Sequence, residues 1–267
     1  MDFEKEGKVI FAGRNVIKLM EVDGENVVVK RFRRPGLLQK IVYTFFRKTK
    51  AYRAFHNGEE LIKRGFVTPK PIRYIETRRY GLIDYCYYIT STDFNPPIED
   101  LTDRDDWDHA LSADFGRFVA QLHSKGILHH DLNDTNVRFA LRQAQEPSSS
   151  GLSKPVIPTS VSDGVYLKEF KGPESFTFSL IDINRMSFYP LGKEIPLTVC
   201  LDNLTRFTGR YDLFEYVVRE YAKARKLDEE STAALALKIK TRHDRNWYRR
   251  KRFTGYLKRL ISPFHQS

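Results

Sequence analysis

HHDLNDTNV at 129–137, taken together with LIDINRM at 180–186, decides how this chain is read. The first stretch sets Asn136 five positions after Asp131, and the second sets Asp182 at the end of the apolar run FTFSLI at 176–181. That run is β-branched or aromatic enough to predict a strand, which would aim Asp182 into a cleft. Phosphoryl transfer needs this combination: an acceptor for the proton of an attacking hydroxyl, hard oxygens for Mg²⁺, and a strand end that holds them still. Asp131 is the candidate proton acceptor. Asn136 and Asp182 suffice as candidate metal ligands, because Mg²⁺ takes one or two carboxylates and fills its shell with waters and phosphates. A single H-x-D is more often a surface turn; two motifs in the right order argue for an enzyme.

Such a site also needs a cation on the nucleotide phosphates. Upstream, ENVVVKRF at 25–32 ends a run of three valines with Lys30, matching the V-A-I-K pattern of a strand-end ammonium that pairs with phosphates and with a helix Glu. Arg31, Arg33 and Arg34 follow at once and are alternative cations. KAYRAFHNGEELIKRG at 50–65 predicts a helix ended by Gly65, and Glu60 is the candidate partner for Lys30. Helical spacing equally allows Glu60 to pair with Arg64 one turn on. FAGRNVIK at 11–18 offers one glycine, Gly13, where a glycine-rich phosphate loop would have three; Gly13 is the candidate nucleotide contact.

With VVVKRF at 27–32, RGFVTPKPI at 64–72, HHDLNDTN at 129–136 and IDINRM at 181–186 in hand, the sequence resembles the lipopolysaccharide core kinases, the Kdo/heptose kinases of Gram-negative bacteria. The resemblance runs from about residue 8 to 225, and Asn-Arg after the metal-binding Asp, in place of Phe-Gly, is its most telling part. It implies a protein-kinase-like fold, ATP and Mg²⁺ as cofactors, Asp131 as general base and Asp182 as metal ligand, and a lipid-linked glycan as substrate. The family often has Arg-Glu-Phe in the helix, whereas this chain has Arg53-Ala54-Phe55, which leaves the partner of Lys30 open.

With 267 residues, 41% of them hydrophobic, the chain can bury a sizeable core. Cys86 and Cys200 cannot build a disulfide framework and lack metal-ligand spacing, which suits a reducing cytoplasm. MDFEKEGKVI lacks the basic-then-apolar pattern of a signal peptide, and no apolar run approaches the roughly 20 residues of a membrane helix. The expected location is cytoplasmic, peripheral at the inner face of the inner membrane. Net charge is +11, and two segments hold more than that excess. Residues 30–53 carry nine Lys/Arg and no acid, and 242–259 carry eight against Asp244. Basic charge interleaved with aromatics implies an anionic partner, either a phosphate-rich membrane or nucleic acid; for a kinase acting on a lipid-anchored glycan the expected partner is an anionic membrane surface, and no nucleic acid is expected. Phe253, Tyr256, Leu257, Leu260 and Ile261 predict an amphipathic basic C-terminal helix.

The expected fold is α+β and bilobal. Residues 1–95 form an N-terminal nucleotide-binding lobe, an antiparallel sheet with one helix, and 96–267 a mostly helical catalytic lobe. KVIFA, VVVKRF, PIRYIET and GLIDYCYYIT read as strands, Pro96-Pro97 as a linker, and LSADFGRFVAQLHSKG at 111–126 as a helix. The Ser-, Pro- and Gln-rich stretch near 141–162 reads as a disordered insertion at a hairpin tip. Two other readings share the motifs. A protein kinase on Ser/Thr or Tyr would carry an A-P-E stretch after the metal Asp, where MSFYPLGKEIPLT stands instead. A pseudokinase binding nucleic acid or membrane would use the basic segments alone.

Overall fold

A computed structural model describes residues 2–141 and 176–261, with side chains through residue 252. The insertion expected near 141–162 lies, from residue 142 on, outside the described residues, as do the side chains of the expected apolar tail stripe. The chain divides into two compact units. The first takes residues up to Asp100 together with His129–Asp131 and Thr135–Ser187; the second takes Leu101–Leu128, Leu132–Asp134 and everything from Phe188.

The first unit is built on a five-stranded antiparallel sheet of β1 Lys8–Ala12, β2 Val16–Val22, β3 Glu25–Arg31, β4 Pro71–Arg79 and β5 Leu82–Ser91, in the order β1-β2-β3-β5-β4. Two tight hairpins set its register. Asp23-Gly24 and Tyr80-Gly81 each place two successive residues at positive φ, the backbone that matches the twist of antiparallel strands. Alternation along β3 then sends Val27 and Val29 to one face, where they meet Met20, Ile89 and Phe3. It sends Lys30, paired with Tyr88 of β5, to the other. On that second face Tyr88, Cys86, Ile83 and Phe32 pack against Ala51 and Ala54.

Those two alanines belong to α2 Lys50–Lys63, whose N-cap Thr49 accepts a hydrogen bond from the Tyr52 N–H at 3.1 Å. A further helix, α1 Leu37–Phe45, precedes it, so the sheet carries two helices where one was expected. β2, also not anticipated, is pinned from outside: the buried Lys18 ammonium donates to the carbonyls of Phe3 at 2.5 Å and Glu6 at 3.0 Å. The rest of this unit includes β7 Val137–Leu141 and β8 Phe176–Leu180, which pair antiparallel with Val137 opposite Leu180. Along the chain, the assignment passes from one unit to the other within β6 Ile127–His129 and again within β9 Met186–Phe188.

In the second unit α4 His109–Ser124, following the short α3 Glu99–Thr102, starts at Asp108, whose carboxylate caps the Leu111 N–H at 2.7 Å. Leu111, Phe115, Val119 and Leu122 are fully buried, as the spacing predicts. The other helices are α5 Leu197–Leu204, α6 Tyr211–Ala224 and α7 Glu229–Ile261. α4 meets α6 closely at Gly116, where an added Cβ would lie 2.7 Å from the Val217 carbonyl oxygen. Buried between helices, His123 bonds the Tyr221 hydroxyl at 3.0 Å and the Asn203 side-chain oxygen at 3.1 Å; desolvation pushes its pKa down to about 4. Among the described residues no helix is long and apolar enough to cross a membrane.

Candidate active site

β7 and β8 bring Asp131, Asn136 and Asp182, all residues of the first unit, together at one end of the strand pair. Asn136, at the end of a 3-10 turn leading into β7, accepts the Ile181 N–H on its carbonyl at 3.0 Å, which sets the residue before Asp182 against the Asp131 loop. The same Asn136 donates its side-chain amide to the Asp131 carbonyl at 2.9 Å. His129 is buried and works in both directions. Its Nε2–H donates to the Ile181 carbonyl at 3.0 Å and its Nδ1 accepts the Asp131 N–H at 3.2 Å. That pattern fixes a neutral ring. Burial lowers its pKa, with only partial offset from the Ile181 bond and the nearby Asp131 and Asp182. His129 therefore braces the loop.

Asp182 sits in the left-handed backbone region, φ 52°, between β8 and the 3-10 turn Ile183–Arg185. Burial works against its ionisation. The Lys30 ammonium, in contact at 2.8 Å, together with the Asn184 amide at 2.5 Å, outweighs burial and holds the carboxyl below its ordinary value. Lys30 and Asp182, 152 positions apart, thus form a direct ion pair, with 15% and 30% of their side chains exposed. Arg185 reaches toward Asp131, Nη1 to Oδ2 at 3.8 Å.

Helix α2 closes one side of this turn. Its Asn57 amide donates to the Ile183 carbonyl at 2.7 Å. A Cβ on Gly58 would meet Pro71 at 2.5 Å and Ile183 at 3.2 Å, so only glycine allows this approach. The structure does not bring Glu60 to Lys30. Its carboxylate instead accepts from Arg64 Nε at 2.7 Å, one turn along the same helix. Gly13 turns the β1–β2 hairpin, its N–H on the Asn15 carbonyl at 3.0 Å, and no described contact joins it to Lys30. Lys50, unremarked in the sequence, lies within the field of Arg14, Arg53, Arg185 and Asp182; burial and those three cations lower its pKa. No motif marks it, because its neighbours come from three separate segments.

Among the described residues no cluster of three or more His, Cys, Asp or Glu is gathered. The donors at this turn, an Asn amide oxygen and an Asp carboxylate, are hard oxygens in the small number that suits Mg²⁺ bound largely through phosphates and water, and they fit that ion. The ensemble offers a carboxylate for a hydroxyl proton and hard oxygens for a cation from the loops next to β7 and β8, and an ammonium for a phosphate from β3.

The model of the lipopolysaccharide kinase (Kdo/WaaP) family matches residues 12–150. Among solved structures, WaaP in complex with acyl carrier protein has a TM-score of 0.54 at 16% identity, over 90% of this chain and 88% of that one, a likeness of fold. The Rio2 kinase of Chaetomium thermophilum, in its complex with ADP, Mg²⁺ and phosphoaspartate, has a TM-score of 0.44 at 15% identity over 88% of this chain and 60% of that one. No curated protein sequence matches the chain.

Proposed function

Because the chain belongs to the lipopolysaccharide kinase (Kdo/WaaP) family and is a kinase, we propose that it transfers the γ-phosphoryl group of ATP to a hydroxyl of Kdo or heptose in the lipopolysaccharide inner core. The observation that carries this reading is the 2.8 Å contact between Lys30 and Asp182 beside a loop that holds Asp131 and Asn136 to the same strand pair. Lys30 would leave Asp182 for the nucleotide phosphates. Asn136 and Asp182 would hold Mg²⁺, which supplies neutralisation of the phosphate charge when bound. Asp131 would accept the proton of the attacking sugar hydroxyl, and Arg185, 3.8 Å from it, would sit where charge builds on the transferring group.

Residues 1–95 act in this reading as the nucleotide lobe and 96–267 as the catalytic lobe, and the acceptor, being lipid-linked, is met at the inner face of the inner membrane. The complex in which WaaP was seen makes acyl carrier protein the soluble protein partner to test. The deciding experiment is mass spectrometry of Kdo–lipid A and of heptose-bearing core lipid after incubation with protein, Mg²⁺ and ATP. A gain of one phosphate with the wild type, absent with Asp131→Ala and with Asp182→Ala, is expected and identifies the sugar. Phosphate on added peptides and on no glycan would replace this reading with a protein kinase.

A further inference from the structure

Helix α1 is moored by the side that surface helices usually turn to solvent. Arg34, just before it, donates to Asp84 of β5 through Nε at 2.8 Å and Nη2 at 3.1 Å, and Lys40 of α1 closes on the same carboxylate. The Thr44 hydroxyl accepts the Ile83 N–H at 3.0 Å, and Tyr43 packs on the sheet cluster. At about 100° per residue, Leu37, Ile41, Phe45 and Leu38 fall within about a third of the helix circumference, with Tyr43 on the opposite side. They are 71%, 76%, 38% and 69% exposed, and Phe46, just past the helix end, is 82% exposed. A contiguous apolar stripe facing solvent has no role in holding the fold and marks a contact surface.

The rim of the stripe is cationic. Arg33 precedes the helix and Arg47 and Lys48 follow it; all three are exposed and have no carboxylate partner among the described residues. Cations at both ends of a helix about 13 Å long, with apolar side chains projecting between them, suit an element lying flat at a bilayer interface. A bilayer presents acyl chains and headgroup phosphates together, over a surface wide enough to meet a convex helix.

We propose that α1 and Phe46 dock this protein on an anionic lipid bilayer, with Leu37, Leu38, Ile41, Phe45 and Phe46 at the acyl boundary and Arg33, Arg47 and Lys48 on the headgroup phosphates. The proposal rests on the reading of a lipid-linked acceptor and names the element that brings the enzyme to it.

Sedimentation of the full chain with vesicles of phosphatidylcholine alone, and of phosphatidylcholine with phosphatidylglycerol, tests it. The wild type is expected to bind the anionic vesicles, less so as salt rises. Leu38→Asn/Phe45→Asn is expected to lower that binding about tenfold, and Arg47→Gln/Lys48→Gln several-fold on anionic vesicles only. Both variants are expected to phosphorylate a delipidated acceptor as the wild type does, which also shows that they are folded. The proposal is overturned by any of three results: no vesicle binding by the wild type, equal binding by Leu38→Asn/Phe45→Asn, or loss of binding only on changing Arg249, Arg250, Lys251 and Arg252. Capture of acyl carrier protein, and not of vesicles, through the stripe would also overturn it in favour of a protein partner. Stripe-dependent vesicle binding without phosphorylation of any glycan would uphold the docking surface and remove the acceptor reading instead.

Discussion

Removing either member of the Lys30–Asp182 pair should cost more than removing both. At 2.8 Å the Coulomb attraction is about 6 kcal/mol at an effective dielectric of ~20. Most of that offsets the desolvation of two charges that are 15% and 30% exposed, leaving a coupling of about 2 kcal/mol, within the range for hydrogen bonds between charged groups. Lys30→Met leaves Asp182 half-buried without its ammonium partner, the Asn184 amide still bonded to it. Asp182→Asn leaves the ammonium against Phe32, 5.4 Å from the ring centre, without a carboxylate. Urea unfolding of the wild type, both single variants and the double variant, at neutral pH and without nucleotide or Mg²⁺, gives the cycle directly. Because Asp182 titrates below its ordinary value, the coupling should persist at neutral pH and fade as pH drops through the folded pKa. Strict additivity, with coupling under about 0.5 kcal/mol, would mean that the pair is not formed in solution, and the reasoning would fail. Turnover of ATP should fall by about two orders of magnitude or more in both single variants.

Two further expectations concern stability. The Tyr88 hydroxyl is buried without a hydrogen-bond partner among the described residues, and burial raises its pKa. Tyr88→Phe should stabilise the protein by about 1 kcal/mol in a calorimetric melt, and a loss of similar size would reveal a partner such as an ordered water. His123 is neutral when folded, with a pKa near 4 against 6.5 when free. Between those values the unfolded chain binds the extra proton, so lowering pH from 6.5 to 4 should cost about 3 kcal/mol through this group. Denaturant melts across that window should show a shallower pH slope for His123→Gln than for wild type; equal slopes would refute the assignment.

The sequence was most legible where function and local structure coincide. HHDLNDTN and the strand before Asp182 announce themselves over a few residues, and the helix at 111–122 does so because its buried side chains recur with helical period. The family resemblance, confirmed by the family match, follows from those same short stretches. Illegible features depend on distant partners. β2 carries a Lys in its middle, and it is the carbonyls of Phe3, Glu4 and Glu6 that let Lys18 be buried there. α1 has helical periodicity but turns its apolar side outward, so pattern alone could not say which way it faces. Helical pattern points to Glu60 on α2 as the partner of Lys30, whereas its counterion lies 152 residues away at the end of another strand. Glu60 took the nearer of its two possible partners, Arg64, because one helical turn brings the charges together without any tertiary contact.

In protein kinases the strand Lys pairs with a Glu on a helix, and helix position controls activity by making or breaking that contact. Helix α2 here has Ala54 packed against Phe32 and Tyr88, and it is fastened to the backbone beyond Asp182 by Asn57. The Lys30 counterion rides on that same backbone. Among the described residues no acid of α2 contacts Lys30, so this pairing offers no helix-borne counterion to withdraw. The enzyme's output would be set by supply, by how often nucleotide and acceptor arrive together, and an on/off control of the kind that governs signalling would have to be added from outside the catalytic unit.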